Sequence, residues 1–144
     1  MRSVRQLGRL ALVACLATAA TFGVSPGAAL AQSAAITVDP VGTFDAQSGT
    51  ATISGTYDCG DARGFAFIEV NLSQRVGRVS TVTGSAFTEI PECTDDTSSG
   101  TWTATVPASN GAFRGGQATA SARLVVDTTA VAETTEPVRL SGGA

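Results

Sequence analysis

Residues 50–59, TATISGTYDC, alternate between small or apolar side chains and polar ones at every position. The first set comprises Ala51, Ile53, Gly55, Tyr57 and Cys59, and the second comprises Thr50, Thr52, Ser54, Thr56 and Asp58. Because successive side chains of a β-strand point to opposite faces, this pattern predicts a strand that buries one face only. Strands of this kind are typical of antiparallel sheets that pack on a core.

The same alternation recurs along the rest of the chain. It is clear in residues 66–73, 101–106 and 117–126, and weaker in 36–43, 79–87 and 137–140. Turn-forming Gly, Ser and Asn residues separate these segments. We therefore predict an all-β protein, an immunoglobulin-like antiparallel β-sandwich of about seven strands with one disulfide. Its core is predicted to contain Tyr57, Ile68, Val70, Trp102, Ala104 and Leu124.

The beginning of the chain has the features of an export signal. Three arginines occur among the first nine residues, residues 10–24 are almost wholly apolar, and Ala29-Leu30-Ala31 matches a small-residue cleavage site. The apolar run is short for a membrane span. We predict a signal peptide over 1–31, cleaved after Ala31, and a secreted protein with no membrane span. Residues 32–144 are predicted to form one domain whose last few residues are a flexible tail.

The segment Leu12-Val13-Ala14-Cys15 offers a competing interpretation, because it resembles the lipobox of bacterial lipoproteins. In that case Cys15 would carry a lipid and become the new N-terminus. However, apolar sequence continues after Cys15, where a lipoprotein has a polar tether. A cysteine inside an ordinary signal is the favoured interpretation.

Composition narrows the possible functions. The 9 basic residues are all arginine, there are 12 acidic residues, and histidine and lysine are absent. Ser–His–Asp and Cys–His catalysis and histidine metal ligands are therefore excluded. The predicted mature chain keeps six arginines and all 12 acids, a net charge of −6, which argues against nucleic acid and anionic membranes as partners. We expect no enzymatic activity, no cofactor and a monomer.

Two cysteines remain after removal of the signal, Cys59 and Cys93. An even pair in an exported chain predicts one disulfide, which would contribute roughly 3–4 kcal/mol. Antibody domains pin their two sheets together with a disulfide between central strands. Here Cys93 lies in a loop before the Trp102 strand, so the bridge is expected to tie one end of the sandwich shut.

Five features form a distinctive set along residues 36–126. They are S-G-T-x-x-C at 54–59, S-Q-R-x-G-R at 73–78, Cys93, Trp102, and F-x-x-G-x-A-x-A at 113–120. Together they resemble a group of small secreted actinobacterial domains of unknown function. The resemblance implies export and an immunoglobulin-like fold, and it transfers no catalytic residue.

The predicted disulfide would gather four aspartates at one loop-rich end: Asp58, Asp61, Asp95 and Asp96. Carboxylate oxygens are ligands for Ca²⁺, so this group is a weak calcium candidate. No D-x-D-x-D-G pattern is present, and we expect the four side chains to splay into solvent without a tight metal site. Paired acids of a glycosidase would need an aromatic-lined cleft, and the chain has one Trp and one Tyr.

A possible contact patch comprises Phe65, Phe67, Arg75 and Arg78. The two phenylalanines have the outward parity of their predicted strand, unless a bulge shifts the register or a loop covers them. The two arginines flank Gly77 in a predicted hairpin. They could hold a carboxylate or a wall-polymer anion, although the favoured role is to keep the turn soluble.

These features predict a secreted, non-catalytic module that acts by surface contact with an unknown protein or a wall polymer, at the cell wall or in the medium. A small-ligand carrier is the alternative, because the alanine-rich inner row of 118–126 would leave room for a ligand between the sheets. A protease inhibitor is less favoured, since no rigid reactive loop is visible.

Overall fold

The computed structural model describes residues 32–143, which form eight strands. The predicted signal peptide, with Cys15, lies outside the described residues. The part of the chain that is described holds no helix long and apolar enough to cross a membrane. The strands are β1 (Ala35–Ile36), β2 (Val41–Phe44), β3 (Ala51–Asp58), β4 (Ala66–Val76), β5 (Ser80–Glu89), β6 (Ser99–Val106), β7 (Gly116–Val126) and β8 (Thr129–Gly142).

The strands form a β-sandwich, as predicted. One layer contains β6, β3 and β1, and the other contains β5, β4, β7 and β8 in that order. Strand β2 connects the layers, since it pairs antiparallel with β3 and parallel with β8. Every pair except β2–β8 is antiparallel.

One hydrophobic cluster fills the space between the layers. It contains inward side chains of β3 and β6 together with those of β4 and β7. The predicted core is confirmed, since all six of its members are at least nine-tenths buried: Tyr57, Ile68, Val70, Trp102, Ala104 and Leu124.

Two segments differ from the prediction. The strand predicted over 36–43 is wrong, because Pro40 lacks a backbone N–H and divides it into β1 and β2. Only residues 137–140 were predicted as the last strand, whereas β8 is 14 residues long and continues to Gly142, where a flexible tail was predicted. Its pairing with β7 and β2 holds it in place, and only Val138 and Leu140 of this strand are buried. A strand that buries so little shows no alternation in its sequence.

Gly55 allows the backbone at Thr37 to lie directly over Trp102. The indole Nε1–H of Trp102 donates to the carbonyl of Thr37 at 3.2 Å. A Cβ at position 55 would lie only 2.0 Å from that carbonyl oxygen. The glycine of the S-G-T-x-x-C segment is therefore required by a close backbone approach.

Candidate functional site

Three phenylalanine rings form a contiguous cluster on the outside of β4 and β5. The ring centroids of Phe65 and Phe67 lie 6.3 Å apart, and those of Phe67 and Phe87 lie 6.0 Å apart. Phe65 is 57% exposed and Phe87 is 69% exposed, while Phe67 between them is half-buried. We call these three residues the aromatic face. Contiguous exposed apolar surface of this kind marks interaction sites on soluble proteins.

The register of the sheet brings the rings together. Phe67 lies opposite Glu89 of β5, and Phe87 lies opposite Glu69 of β4, so the two phenylalanines are diagonal neighbours on one face. On its other side Phe67 lies opposite Val125 of β7, which is 7% exposed. Phe67 is therefore supported on both sides, whereas Phe87 projects from the outermost strand.

Phe65 precedes β4, and Asp127 fixes its backbone. The Phe65 N–H donates to Asp127 Oδ1 at 3.0 Å, and the Asp127 N–H donates to the Phe65 carbonyl at 2.9 Å. Asp127 has a φ of 47°, a left-handed conformation that Asp and Asn adopt more readily than most residues. The turn between β7 and β8 thus positions the first ring of the aromatic face.

Acidic side chains border the aromatic face. Arg123 lies 3.8 Å from Glu69 and 3.7 Å from Glu133, and Glu89 is exposed at the end of β5. Three carboxylates and one guanidinium give this border a net negative charge. A complementary surface would be apolar at its centre and positively charged at its border.

The aromatic face also adjoins an open strand edge. The Thr83 N–H donates to Asn110 Oδ1 and its carbonyl accepts from the Ser109 N–H, so the backbone groups of Thr83 point away from β4. Phe87 lies four residues further along the same uninterrupted register and has the same orientation. Within the described chain, the N–H and C=O of Phe87 have no hydrogen-bond partner. An extended peptide could pair with this edge.

The predicted disulfide between Cys59 and Cys93 is confirmed, with a Cα–Cα distance of 6.2 Å. It joins the end of β3 to the loop between β5 and β6. Cys93 also forms an isolated backbone bridge with Gly64, with N···O distances of 3.0 and 2.9 Å. The disulfide therefore closes one end of the sandwich, which we call the disulfide end and define as residues 58–64 and 92–97.

Two aspartates of the disulfide end, Asp58 and Asp61, bind backbone N–H groups rather than one another. Asp58 Oδ1 accepts from the Gly60 N–H at 2.8 Å. Asp61 Oδ2 accepts from the Gln32 N–H, also at 2.8 Å. Asp58 therefore stabilises its own turn, and Asp61 holds the segment that begins at Gln32.

Arg63 gives Asp95 a separate partner. Its Nε donates to Asp95 Oδ1 at 2.9 Å, and its Nη1 donates to the carbonyls of Gly60 and Ala62 at 2.8 Å each. Asp96 is exposed. Across residues 32–143, no three Asp, Glu, Cys or His side chains lie close enough to hold a metal ion. The four calcium candidates are not brought together around a common point.

The predicted hairpin at S-Q-R-x-G-R is confirmed by the pairing of β4 with β5. Arg75 Nη2 donates to the Arg78 carbonyl at 3.0 Å within the turn. Both arginines lie toward the end of β4 opposite to the aromatic face. The buried Gln74 exchanges two hydrogen bonds with the backbone of Arg114, at 2.7 and 2.9 Å. Gln74 thus joins the segments 73–78 and 113–120 of the sequence pattern.

One open depression in the described part of the chain has a volume of about 480 Å³ and includes Phe44 and Asp45 in its lining. Backbone N–H groups of Gln47 and Ser48 donate to the Asp45 carboxyl and hold its pKa below the ordinary value of 3.8. Another depression, of about 330 Å³, lies at the surface near Arg75. The alanines that suggested room between the sheets include Ala120 and Ala122, which are completely buried.

Three residues of these sites, Phe87, Asp127 and Arg63, were not predicted from the sequence. The segment with Phe87 was predicted as a strand, but its position beside Phe67 depends on the register of the hairpin. That register could have been derived from the turn around Gly77, which has a φ of 71°. No local signal indicates that Asp127 binds the backbone of Phe65, 62 residues earlier.

Comparison with solved structures gives weak likenesses. A sporulation control protein from Bacillus subtilis, Spo0M, has 9% identity and a TM-score of 0.34, with 77% of this chain and 49% of that protein covered. A proposed β-galactosidase from Bacteroides fragilis has 18% identity and a TM-score of 0.34, with 72% of this chain and 15% of that protein covered. The chain thus spans less than two thirds of either protein, and neither likeness bears on its function.

The family comparison is more informative. No curated protein matches the chain at a significant level. Residues 32–138, which include the aromatic face and the disulfide end, match a family of unknown function, DUF6299. Because this match covers well over half of the sequence, the chain belongs to the DUF6299 family.

Proposed function

We propose that this protein is a secreted, non-catalytic β-sandwich module that binds a partner through its aromatic face. The observation that carries the proposal is the cluster of Phe65, Phe67 and Phe87, whose rings contact one another while two of them remain more than half exposed. The disulfide is consistent with an extracellular location. The absence of His and Lys from the sequence supports a role in contact rather than catalysis.

The geometry of the face favours a protein partner over a wall polymer. The rings are tilted by 44° and 63° relative to their neighbours, so they do not form the flat platform on which sugar rings stack. The open backbone of Phe87 suits an extended peptide, which can add as a strand to β5. Because Glu89 and Glu69 lie opposite Phe67 and Phe87 in the sheet register, the partner segment should carry apolar and positively charged side chains.

A variant pair tests this role directly. The substitutions Phe67→Ser and Phe87→Ser together remove two rings, and Val79→Ser is the matched control, because Val79 is 95% exposed at the hairpin turn and lies outside the aromatic face. Each chain is exported from the producing cell, and its distribution between washed cells and medium is measured. Binding of each purified protein to isolated cell envelopes is then titrated.

We expect wild type and Val79→Ser to be retained equally at the envelope, and the double variant to bind about tenfold more weakly or worse, as for the loss of aromatic anchors. Circular dichroism checks that all three proteins are folded. Equal binding by the double variant would refute the role of the aromatic face. Retention that protease treatment of the envelope leaves intact would instead indicate a wall polymer as the partner.

The export part of the proposal can be tested separately. The exported protein should begin at Gln32 and contain one disulfide and no free thiol. Intact mass and thiol titration measure both properties. A lipid mass on Cys15 or two reactive thiols would contradict this part of the proposal.

The carrier alternative has no support from an internal cleft, because the inner alanines of β7 are packed. Native mass spectrometry of the exported protein would reveal a bound small molecule and would then favour the carrier.

A further inference from the structure

Both backbone groups of Gln32 bind the same residue, Asp61. The Gln32 N–H donates to Asp61 Oδ2 at 2.8 Å, and the Asp61 N–H donates to the Gln32 carbonyl at 3.1 Å. In the uncut chain the first of these is a hydrogen bond from a neutral amide. Gln32 is also the residue that would become the N-terminus if the signal peptide is cleaved after Ala31.

The backbone around Asp61 is shaped to receive this segment. Gly60 has a φ of 57°, and a Cβ there would lie 2.3 Å from the Gln32 carbonyl oxygen and 2.7 Å from the Ala34 nitrogen. Residues 32–34 therefore lie directly on the backbone of Gly60, which only a residue without a side chain permits. The adjacent disulfide at Cys59 and the hydrogen bond from the Gly60 N–H to Asp58 fix this part of the chain.

We propose that Asp61 is the binding site for the processed N-terminus, where it pairs with the α-ammonium group of Gln32 and protects that residue from cyclisation. This inference rests on the export part of the proposed function. Cleavage would replace the amide N–H by a positively charged ammonium at the same position, and a hydrogen bond between two charged groups is stronger than one from a neutral donor. Processing would thus strengthen a contact that the fold already contains.

The protection follows from the chemistry of an N-terminal glutamine. In cyclisation the neutral α-amine attacks the side-chain Cδ, the N–Cδ bond forms, and the bond from Cδ to the amide nitrogen breaks. The amine proton leaves with that nitrogen as ammonia, so the product is pyroglutamate. Only the unprotonated amine has the electron pair for this attack. A carboxylate partner favours the ammonium form and so reduces the fraction of molecules that can react.

The test uses chains that begin at Gln32 and contain the whole described domain. Wild type is compared with Asp61→Asn, which removes the charge, and with Asp61→Glu, which keeps it. Asp96→Asn is the control for a charge change at the same end of the molecule, because Asp96 is exposed and makes no hydrogen bond to Gln32. The loss of ammonia is followed over time by the mass of the N-terminal peptide.

We expect Asp61→Asn to cyclise roughly two- to fivefold faster than wild type, the factor that corresponds to an exposed ion pair. Asp96→Asn should cyclise at the wild-type rate. The rate for Asp61→Glu should lie between those of wild type and Asp61→Asn, and the free peptide of residues 32–36 should cyclise fastest. Amide exchange or circular dichroism confirms that Asp61→Asn is folded. Equal rates in Asp61→Asn and wild type would overturn the inference. So would a slower rate, because the carboxylate would then act as a base that promotes the reaction.

The outcome can be separated from that of the proposed function. An exported protein that begins at a residue other than Gln32 would overturn this inference, while the aromatic-face experiment would remain valid. Conversely, equal envelope binding by wild type and the Phe67→Ser, Phe87→Ser double variant would refute the contact role without changing the cyclisation rates.

Discussion

The disulfide end and the aromatic face differ in how far their interactions are satisfied within the molecule. At the disulfide end, Asp58, Asp61 and Asp95 each accept a hydrogen bond from the chain itself. On the aromatic face, Phe65 and Phe87 remain more than half exposed, and the adjoining backbone of Phe87 has no partner within the described chain. The charged residues of the disulfide end therefore stabilise the fold, whereas the aromatic face has exposed groups that are free to bind a partner.

This contrast has an energetic consequence that mutations can test. Substitutions at the disulfide end should change the free energy of unfolding, whereas substitutions of the exposed rings should change binding. A residue that positions a ring should affect both. The expected effects on stability decrease from removal of the disulfide, through substitution of Asp127 and of Phe87, to addition of Ca²⁺.

Removal of the disulfide should have the largest effect. The double variant Cys59→Ala, Cys93→Ala should lose roughly 3–4 kcal/mol of unfolding free energy, because the open chain gains conformational freedom when it unfolds. Urea titration followed by tryptophan fluorescence measures the loss, since Trp102 is buried in the native state. Reduction of wild type with a thiol reagent is the control and should give a similar value. A loss below about 1 kcal/mol would mean that the packed core alone holds this end closed.

Asp127 should have the next largest effect, because it positions Phe65. Asp127→Ala removes the acceptor of the Phe65 N–H and puts alanine at a φ of 47°, which together should cost about 1–3 kcal/mol. Asp127→Asn is the matched control, since asparagine keeps an acceptor oxygen and tolerates this conformation. Urea titration should show a small change for Asn and the full loss for Ala. If both variants are as stable as wild type, Asp127 does not hold the aromatic face.

The fold was predictable where strands bury one face completely. Alternation in β3, β4, β6 and β7 identified these strands, and the parity of Cys59 and Cys93 identified the disulfide. For β8 the alternation identified only residues 137–140, because the first part of this strand is held by backbone pairing to β7 rather than by buried side chains. The alternation also predicted one strand where the structure has β1 and β2, because Pro40 interrupts the backbone without interrupting the apolar pattern.

The candidate site was predictable only in part, for a related reason. Strand parity placed Phe65 and Phe67 on the outside, but the third ring, Phe87, comes from a different strand whose register the pattern did not determine. The four aspartates were predicted to lie at the disulfide end with their side chains splayed into solvent, but the partners of these side chains were not predicted. The bonds from Gln32 to Asp61 and from Arg63 to Asp95 join segments about 30 residues apart, which local sequence patterns do not connect.

Loss of an exposed ring should leave stability almost unchanged. Phe87→Ser should alter the free energy of unfolding by less than about 0.5 kcal/mol, because its side chain is mostly in solvent. Phe67→Ser is the informative comparison, since Phe67 is half-buried against Val125 and should cost more. Urea titration of both variants measures the difference. An equally large loss for Phe87→Ser would show that the exposed ring contributes to the fold, and the contrast between the two regions would then fail.

Calcium should have the smallest effect of all. A Ca²⁺ site needs six to eight oxygen ligands. To supply them, Asp58 and Asp61, which each accept a backbone N–H, and Asp95, which is paired with Arg63, would have to turn toward a common point. The separated carboxylates would also have to approach one another, which like charges oppose. We therefore expect millimolar Ca²⁺ to raise the melting temperature no more than NaCl or Mg²⁺ at the same ionic strength.

Thermal melts in the three salts, with wild type and Asp95→Asn, decide this point. If Ca²⁺ acts only by screening, all three salts should shift the melting temperature by the same small amount in both proteins. A rise specific to Ca²⁺ that Asp95→Asn abolishes would mean that the aspartates rearrange to form a common site. The disulfide end would then be a second region with interactions left to make. Because Asp95 is 93% exposed and its ion pair is weak, such a rearrangement would cost little at that residue. The obstacle lies at Asp58, whose hydrogen bond holds the turn at Gly60, and at Asp61, whose hydrogen bond holds Gln32. A calcium response that turns Asp61 away from Gln32 should therefore be accompanied by loosening of residues 32–34.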